Sequence, residues 1–265
     1  MPAVARRPVC DAVTTVTLVV PCYNEASRLD VEALGVALGQ NDGLRLLLVD
    51  DGSTDRTRDR LVAAAARHPA RMRVLSLARN VGKAEAVRLG LGQALGDHPD
   101  FVGYWDADLA TPFEALSDFR TVFERQPHLE IVIGSRVQLL GRRITRSTVR
   151  HYTGRVFATC ASLVLGLPVY DTQCGAKLFR ATPVLASILD RPFTSHWIFD
   201  VELLARFLDA ARTDGRRARE LIYELALKTW TDRPGSKVRA SDGMRAALDL
   251  WRIYRNRHRG PNAAR

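Results

Sequence analysis

Asp106 and Asp108, two aspartates separated by one residue, have the spacing in this chain that most directly suggests chemistry. They follow the apolar run 101–105, which the sequence predicts to be a buried strand. Two carboxylates at a strand end can reach one hard divalent cation, and Mg²⁺ uses one or two carboxylates together with substrate phosphates. A solvated turn is the alternative for such a triplet taken alone, so the choice depends on the surrounding motifs.

A second pair of carboxylates, Asp50 and Asp51, follows the apolar run 44–49. Ser53 or Thr54 is expected to cap the helix that comes next, because a hydroxyl oxygen accepts the free N–H groups of a helix start. Capping does not explain Asp50 and Asp51. One of them could hydrogen-bond a ribose or a base edge.

Lys83 stands directly after Gly82 and before a predicted helix. A phosphate group is favoured near a helix N-terminus, and a lysine there would add charge, although a turn followed by a solvated lysine is the alternative. Neither the GxxxxGK[ST] loop nor a GxGxxG motif after the first strand is present. Their absence argues against a nucleotide-hydrolysing motor and a dinucleotide-dependent dehydrogenase.

The elements that must position these side chains alternate regularly in the first half of the chain. Strands are predicted over 15–20, 44–49, 73–77, 101–105 and 131–133, and helices over 27–40, 54–67, 83–95 and 112–125. This alternation predicts parallel βαβ units and a doubly wound α/β layer. A polar signature follows each of the five strands, which is where such sheets bind ligands.

The second half is less regular. We expect helices over 147–165, 199–211 and about 242–258, a strand-like segment over 221–229, and a polar loop from 171 that runs into a short strand ending near 179. No linker rich in Gly, Pro or Ser divides the chain, so a single domain is expected.

Composition limits the classes of protein that remain. The 265 residues are 46% apolar, 26% charged and 7% aromatic, which excludes disorder, collagen and coiled coil as overall descriptions. No run approaches the roughly 18 apolar residues of a membrane span, and residues 1–13 lack the apolar region of a signal peptide. We therefore expect a soluble, cytoplasmic protein with four reduced cysteines and no zinc site.

The net charge of +10 is unevenly distributed. Six arginines and no acid lie between Arg136 and Arg155, and nine basic residues face two acids between Arg233 and Arg265. Such an excess attracts phosphate, whether in nucleic acid, anionic lipid or a phosphorylated small molecule. Few aromatics are available for stacking and carboxylates stand at the strand ends, so a nucleic-acid-binding protein is the weaker alternative.

Several motifs together resemble a known family. In order and spacing, the chain is similar to the inverting GT-A nucleotide-sugar glycosyltransferases of family 2 at 21–29 (PCYNEASRL), 49–55 (VDDGSTD), 79–83 (RNVGK) and 106–108 (DAD). The second half is similar to the dolichyl-phosphate β-glucosyltransferases, close relatives of the dolichol-phosphate mannose synthases, at 171–179 (DTQCGAKLF), 197–204 (WIFDVELL) and 235–237 (GSK). The resemblance extends over about 16–254.

This resemblance implies a GT-A fold: a Rossmann-like, mixed and mainly parallel sheet flanked by helices, with a C-terminal amphipathic helix. It divides the single domain 1–265 into a nucleotide-sugar-binding half (1–136), an acceptor-binding half (137–240) and a basic C-terminal helix and tail (241–265). It also implies a Mg²⁺ or Mn²⁺ ion at Asp106 and Asp108.

The resemblance assigns roles to individual residues. The nucleotide-sugar donor would be held by Pro21, Tyr23, Asn24, Glu25, Asp51, Lys83, Asp106, Ala107 and Arg233. The acceptor would be met by Ser135, Arg136, Gln173, Lys177 and Trp197, and the catalytic residues would be Asp106, Asp108, Asp200 and Lys237. The chain departs from its relatives at Ala84-Glu85, where they usually carry glycines. From these 265 residues we expect no counterpart of the transmembrane helix that precedes the eukaryotic glucosyltransferase domain.

The expected reaction is inverting transfer of a hexose, most simply glucose from UDP-glucose, to a polyprenyl or dolichyl phosphate. Mannose and GlcNAc donors remain open, as does a soluble hydroxyl acceptor with Asp200 as general base. The segment 244–258 suits a helix lying on an anionic membrane, and equally a helix docked on the core with a basic outer face. We expect no nucleic-acid partner, and a location in the cytoplasm or on the inner face of the membrane.

Overall fold

The computed structural model describes residues 13–145, 148–232 and 240–258, and the side chains of 148–151, 240–242, 244 and 258 are also outside the description. The strands are β1 (Val16–Cys22), β2 (Leu44–Asp50), β3 (Met72–Ser76), β4 (Phe101–Trp105), β5 (Ile131–Ser135), β6 (Arg143–Thr145), β7 (Ala176–Arg180), β8 (Ile222–Ala226) and β9 (Thr229–Thr231). The helices are α1 (Val31–Gln40), α2 (Thr57–Arg67), α3 (Lys83–Leu95), α4 (Ala115–Arg125), α5 (Thr148–Leu165), α6 (Pro183–Leu189), α7 (Phe199–Thr213) and α8 (Ala240–His258).

Seven strands form one twisted sheet in the order β3-β2-β1-β4-β7-β5-β8. The pairs β1–β2, β1–β4, β2–β3 and β5–β8 are parallel, whereas β7 runs antiparallel to both of its neighbours. β6 and β9 form a separate parallel pair. The predicted mixed, mainly parallel sheet is confirmed, as is the C-terminal helix.

Helices cover both faces of the sheet, and the core lies in the two layers between them. Alternate residues of β2 point to opposite layers: Leu47 and Val49 belong to the core layer that contains α3, α5, α6, α7 and α8, while Leu46 and Leu48 belong to the layer that contains α1, α2 and α4. Parallel strands buried on both faces are apolar throughout rather than alternating, which explains the continuous run at 44–49.

Several boundaries differ from the predictions. β4 and α3 have the predicted limits, but α1 begins at Val31, where the Asp30 side chain accepts from the Ala33 N–H, and α2 begins at Thr57. The prediction that Ser53 or Thr54 caps α2 is wrong: the cap position is Arg56, without a side-chain hydrogen bond. The segment 221–229 is two strands, β8 and β9, and the sequence did not predict β6 or α6.

Candidate active site

A cleft of about 770 Å³ opens at the carboxyl ends of β1, β2 and β4 and extends to α5 and α8. It is lined by most of the predicted site residues, namely Pro21, Tyr23, Glu25, Asp51, Lys83, Asp106, Ala107, Asp108, Arg136, Gln173, Trp197 and Asp200. The structure therefore brings residues from both halves of the chain into one cavity. Arg233 and Lys237 lie outside the described residues.

The Asp106–Asp108 turn sits between β4 and the loop before β7. The backbone N–H of Asp106 donates to the Gly175 carbonyl at 2.9 Å, and the Ala110 N–H donates to Asp108 Oδ1 at 3.0 Å. A Cβ atom on Gly175 would lie 1.8 Å from Asp106 Oδ2. Only glycine at position 175 therefore leaves room for this carboxylate.

The charges at this turn suit a cation. Burial raises the pKa of the Asp108 carboxyl, and the neighbouring Asp106 raises it further. Lys83 Nζ lies 2.5 Å from Asp106 Oδ1 and supplies part of the compensation. Within the described part of the chain, no cluster of three or more His, Cys, Asp or Glu side chains could cage a metal. Two carboxylates fit an ion whose other ligands are substrate phosphates and water, as Mg²⁺ prefers.

Asp51 is almost fully buried, and its carboxylate fastens the loop that leads into α3. It accepts hydrogen bonds from the backbone N–H groups of Val81 at 2.7 Å and Gly82 at 3.0 Å, and from the Asn80 amide at 3.1 Å. Burial raises the pKa of Asp51, and the two backbone donors partly oppose this. The side chain borders the cleft, and it also holds Lys83 in position through this loop.

Asn24 joins two loops and does not line the cleft. Its backbone has a positive φ of 52°, its side-chain Oδ1 accepts from the Thr54 N–H at 2.9 Å, and its own N–H donates to Ser53 Oγ at 3.1 Å. These contacts give Asn24 a role in fixing the loop after β1, and its direct contact with the donor stays a prediction. The same contacts explain why Ser53 and Thr54 are not helix caps.

Arg136 enters the cleft already paired. Its Nε donates to Asp171 Oδ2 at 2.6 Å and its Nη2 to Asp171 Oδ1 at 2.8 Å, and its guanidinium lies 5.4 Å from the centre of the Trp230 ring. Burial alone would raise the pKa of Asp171, but the Arg136 charge and hydrogen bonds hold it at about 2. The backbone N–H groups of Tyr170 and Asp171 in turn donate to Glu224. This network gives Arg136 a fixed orientation.

Two predicted acceptor residues lie beneath the surface of the cleft. Lys177 is 1% exposed, and its Nζ donates to Asp200 Oδ1 at 2.6 Å and to the Cys174 carbonyl at 2.7 Å. Ser135 is also buried, and neither residue lines the cavity. Lys177 reaches the cleft only through its partner Asp200, which lines it, and direct contact of Lys177 or Ser135 with an acceptor stays a prediction.

Asp200 borders the cleft, and two buried side chains donate hydrogen bonds to its carboxylate. The Tyr104 hydroxyl and Lys177 both donate to its Oδ1. The pKa of the Tyr104 phenol is raised by burial and then by the Asp200 charge, so Tyr104 keeps its proton and remains a donor. One oxygen of Asp200 is thus fixed by two donors while the residue faces the cavity.

Some residues of the cleft lining were not predicted from the sequence. Arg28 and Asn80 line the cleft and stand inside the motifs at 21–29 and 79–83, so a signal for them was present. Trp230 and Asp232 arrive at the cleft because β9 pairs with β6. No local pattern marked them.

A match to a known protein family identifies the family of this chain. Residues 17–184, more than half of the chain, match the family described as Glycosyl transferase family 2. The chain belongs to glycosyl transferase family 2. Curated members similar to it include the dolichyl-phosphate beta-glucosyltransferases of Saccharomyces cerevisiae (30% identical, covering 88% of this chain and 72% of the relative) and Homo sapiens (32% identical, covering 84% and 69%).

Solved structures place this family 2 chain in the GT-A fold. Glucosyl-3-phosphoglycerate synthase from Mycobacterium tuberculosis, solved with Mn²⁺, UDP and glucosyl-3-phosphoglycerate, superposes with a TM-score of 0.63 at 20% identity, covering 92% of this chain and 80% of that one. The same enzyme solved with Mg²⁺ and UDP gives a TM-score of 0.63. At this identity the likeness shows the fold. Among the described helices, none combines the length and the apolar character needed to cross a bilayer.

Proposed function

We propose that this family 2 enzyme transfers glucose from UDP-glucose to a polyprenyl or dolichyl phosphate, with inversion at the anomeric carbon. The observation that carries the proposal is that one cleft is lined by both the Asp106–Asp108 carboxylates and Arg136. The names of the similar curated enzymes support glucose as the sugar and dolichyl phosphate as the acceptor.

The donor would occupy the end of the cleft formed by β1, β2 and β4. Pro21, Tyr23, Glu25 and Asp51 border the space for the nucleoside, and Lys83 stands where the diphosphate would approach the start of α3. A Mg²⁺ or Mn²⁺ ion bound to Asp106 and Asp108 would neutralise charge on the leaving diphosphate. Arg233 and Lys237, which we predict to close over this group, would add to that stabilisation.

The acceptor would enter between Arg136 and α5. A phosphate monoester is largely dianionic at neutral pH because its second pKa is near 6, so its oxygen can attack the anomeric carbon without a strong base. The new bond forms from the phosphate oxygen to the anomeric carbon as the bond from that carbon to the diphosphate breaks. The Nε and Nη2 atoms of Arg136 donate to Asp171, and its Nη1 can still donate to the acceptor phosphate.

A hydroxyl acceptor is the second candidate, because Asp200 faces the cleft. In that reaction a carboxylate must remove the proton of the hydroxyl, and Asp200 would act as the general base. Its fixed orientation on Lys177 and Tyr104 suits Asp200 both to take a proton and to bind a sugar hydroxyl.

Transfer of labelled sugar tests the proposal. UDP-glucose, GDP-mannose and UDP-GlcNAc are each incubated with a short polyprenyl phosphate and Mg²⁺ or Mn²⁺, with an EDTA control. We expect an acid-labile glucosyl phosphate lipid that forms only with metal and that the Asp200→Asn variant still makes. Donor binding with transfer only to soluble hydroxyl compounds, lost in Asp200→Asn, would replace the proposal with the second candidate.

We further propose that the enzyme acts as a peripheral protein on the cytoplasmic face of a membrane, without a nucleic-acid partner. A phosphate lipid acceptor places the reaction at a lipid surface. The basic residues that the sequence concentrates after residue 136 are consistent with that location.

A further inference from the structure

Exposed apolar side chains are concentrated around one part of the molecule. In the described residues, those of the first half are Val13, Val36 and Val62, and those of the second half are Leu139, Leu140, Tyr152, Val156, Leu163, Trp197, Leu248, Trp251 and Tyr254. The nine residues of the second half, which we call the apolar rim, belong to the loop after β5, to α5, to the loop before α7 and to α8. Helix α5, the loop before α7 and helix α8 also contribute residues to the cleft. The loop after β5 begins at Arg136, which lines the cleft as well.

The loop after β5 carries two leucines at its tip. Leu139 is 52% exposed and Leu140 is fully exposed, in a tight turn closed by the Arg142 N–H on the Leu139 carbonyl, with Gly141 at φ 80°. Arg142 and Arg143 follow at once. Two leucines projecting into solvent beside two arginines are unfavourable in water and suit the boundary between lipid headgroups and acyl chains.

The outer face of α5 is apolar and uncharged. Tyr152, Val156 and Leu163 are each at least two-thirds exposed, and their spacing places them on one side of the helix together with Thr159 and Cys160. The whole helix contains no acidic residue. The opposite side packs into the core through Ala161 and Leu165.

The outer face of α8 combines aromatic and basic side chains. Leu248, Trp251 and Tyr254 are exposed, Arg245 and Arg252 share the solvent side, and Ala246, Leu250 and Ile253 face the core. The Arg255 guanidinium lies 4.6 Å from the centre of the Trp251 ring. Tryptophan and tyrosine with arginine are typical of the membrane interface, where a ring has one apolar and one wet side.

α5 and α8 lie side by side in the same direction. Arg257 near the end of α8 donates to the carbonyls of Val164 and Leu165 at the end of α5, while Ala158 and Ala246 of the two helices both line the cleft. The exposed faces therefore flank the acceptor end of the cavity. The Leu139–Leu140 loop is joined to the same cavity through Arg136, which lines it.

We infer that the apolar rim is a docking surface for an anionic lipid bilayer. The leucine tip and the outer faces of α5 and α8 enter the interfacial layer, and the arginines beside them contact anionic headgroups. The inference deepens the proposed function and rests on it only in placing the acceptor phosphate at the cleft. Docking on the rim would bring that phosphate to Arg136 while its prenyl chain stays in the membrane.

Vesicle sedimentation tests this surface without donor or acceptor. The full chain is mixed with phosphatidylcholine vesicles that contain none or about 30 mol% phosphatidylglycerol, and the bound fraction is measured at low salt and at about 0.5 M NaCl. We expect binding to the anionic vesicles that weakens in high salt. Equal binding to both vesicle types, or no binding to either, would overturn the inference.

A matched pair of triple variants locates the surface. Leu139→Ser/Leu140→Ser/Trp251→Ser removes apolar groups from the rim, whereas Val13→Ser/Val36→Ser/Val62→Ser removes exposed groups of the first half of the chain, which do not belong to it. The rim variant should bind anionic vesicles at least about tenfold more weakly, and the control should stay within about twofold of the parent chain, because interfacial binding follows the apolar area inserted. Circular dichroism checks that both remain folded, and equal loss in the two variants would overturn the assignment.

The results separate failure of this inference from failure of the proposed function. Glucosyl transfer to a detergent-dispersed polyprenyl phosphate, without vesicle binding, would leave the function standing and overturn the docking surface. Rim-dependent vesicle binding without transfer to any prenyl phosphate would support the surface and remove the proposed acceptor. A dimer in light scattering that the rim variant abolishes, without vesicle binding, would assign the surface to a second copy of the chain.

Discussion

The donor and acceptor sides of the cleft hold their charged groups in different ways. On the donor side, Asp51 and Asn24 bond to backbone N–H groups and fasten one loop to the next. On the acceptor side, charges pair with each other, as Arg136 does with Asp171 and Lys177 with Asp200. Backbone bonds hold the buried Asp51 of the donor site, where the Lys83–Asp106 pair is partly exposed, whereas buried ion pairs neutralise the charges of the acceptor site.

The difference has an energetic consequence. Removing one partner of a buried ion pair leaves an uncompensated charge, which typically costs roughly 3–5 kcal/mol of stability. At the Asp106–Asp108 turn the carboxylates repel each other, so removing one relieves strain and should mainly affect activity. Substitutions on the donor side should therefore lower turnover, and those on the acceptor side should lower stability or acceptor affinity.

The largest effect is expected for Asp108→Asn, which tests the donor side directly. Turnover should fall roughly a thousandfold, since an electrostatic contact to the developing charge is lost. The melting temperature should not fall, because burial and Asp106 both disfavour the charged carboxylate. Initial rates with UDP-glucose and thermal unfolding measure the two quantities. Asp42→Asn, at a loop position away from the cleft, serves as the control, and near-normal metal-dependent turnover in Asp108→Asn would remove the metal assignment.

Gly175→Ala tests whether the β7 loop sets the position of Asp106. The added methyl group would lie 1.8 Å from Asp106 Oδ2 and must displace it. Activity should fall roughly a hundredfold, since a small misplacement of a reacting group can have an effect of that size. Gly92→Ala, on an exposed turn of α3 with nothing within 4 Å, is the matched control and should stabilise the protein by about 0.5–1 kcal/mol. Equal activity in the two variants would contradict the close approach at Gly175.

The donor side could be predicted from the sequence because each part of it is local. The run 44–49 followed by Asp50-Asp51, and the run 101–105 followed by Asp106, mark both a strand and the ligand-facing residues at its end. The resemblance to family 2 added the roles. The sequence did not show that the Asn24 side chain would accept a hydrogen bond from the Thr54 N–H in the loop after β2, because that bond joins residues 30 positions apart.

The acceptor side depends on pairings between distant residues. Its motif predicted that Lys177 contacts the acceptor. In the structure, β7 lies antiparallel between β4 and β5, and the buried Lys177 side chain donates to Asp200. Trp230 lines the cleft from β9, which pairs with the distant β6. Neither strand pairing produces a periodic pattern in the sequence, because strand order depends on packing across the whole sheet.

Arg136→Lys sharpens the contrast between donor and acceptor binding. Lysine keeps the charge but loses the planar fork that pairs with Asp171 and faces the acceptor. The KM for the polyprenyl phosphate should rise about tenfold, which corresponds to roughly 1.4 kcal/mol, while the affinity for UDP measured by calorimetry should change less than about twofold. Arg125→Lys, an exposed residue in the last turn of α4, is the control. An unchanged acceptor KM would mean that Arg136 serves only to hold Asp171.

Asp171→Asn tests the ion pair through pH: beyond the stability that is lost with the pair itself, the expected change in the pH dependence of stability is the smallest of these effects. Burial would raise the pKa of Asp171, but Arg136 holds it at about 2, below its ordinary value of 3.8. A carboxyl whose pKa is lowered by folding stabilises the protein above the unfolded value, and this stabilisation is lost as the pH falls through about 4 toward 2. Over pH 5 to 3 the loss amounts to about 1 kcal/mol. Urea unfolding should therefore show a free energy that falls by about this amount less in Asp171→Asn than in the parent chain or in Asp42→Asn. Identical pH slopes in all three proteins would mean that Arg136 does not stabilise the Asp171 charge, and the acceptor side would then resemble the donor side in depending on backbone bonds.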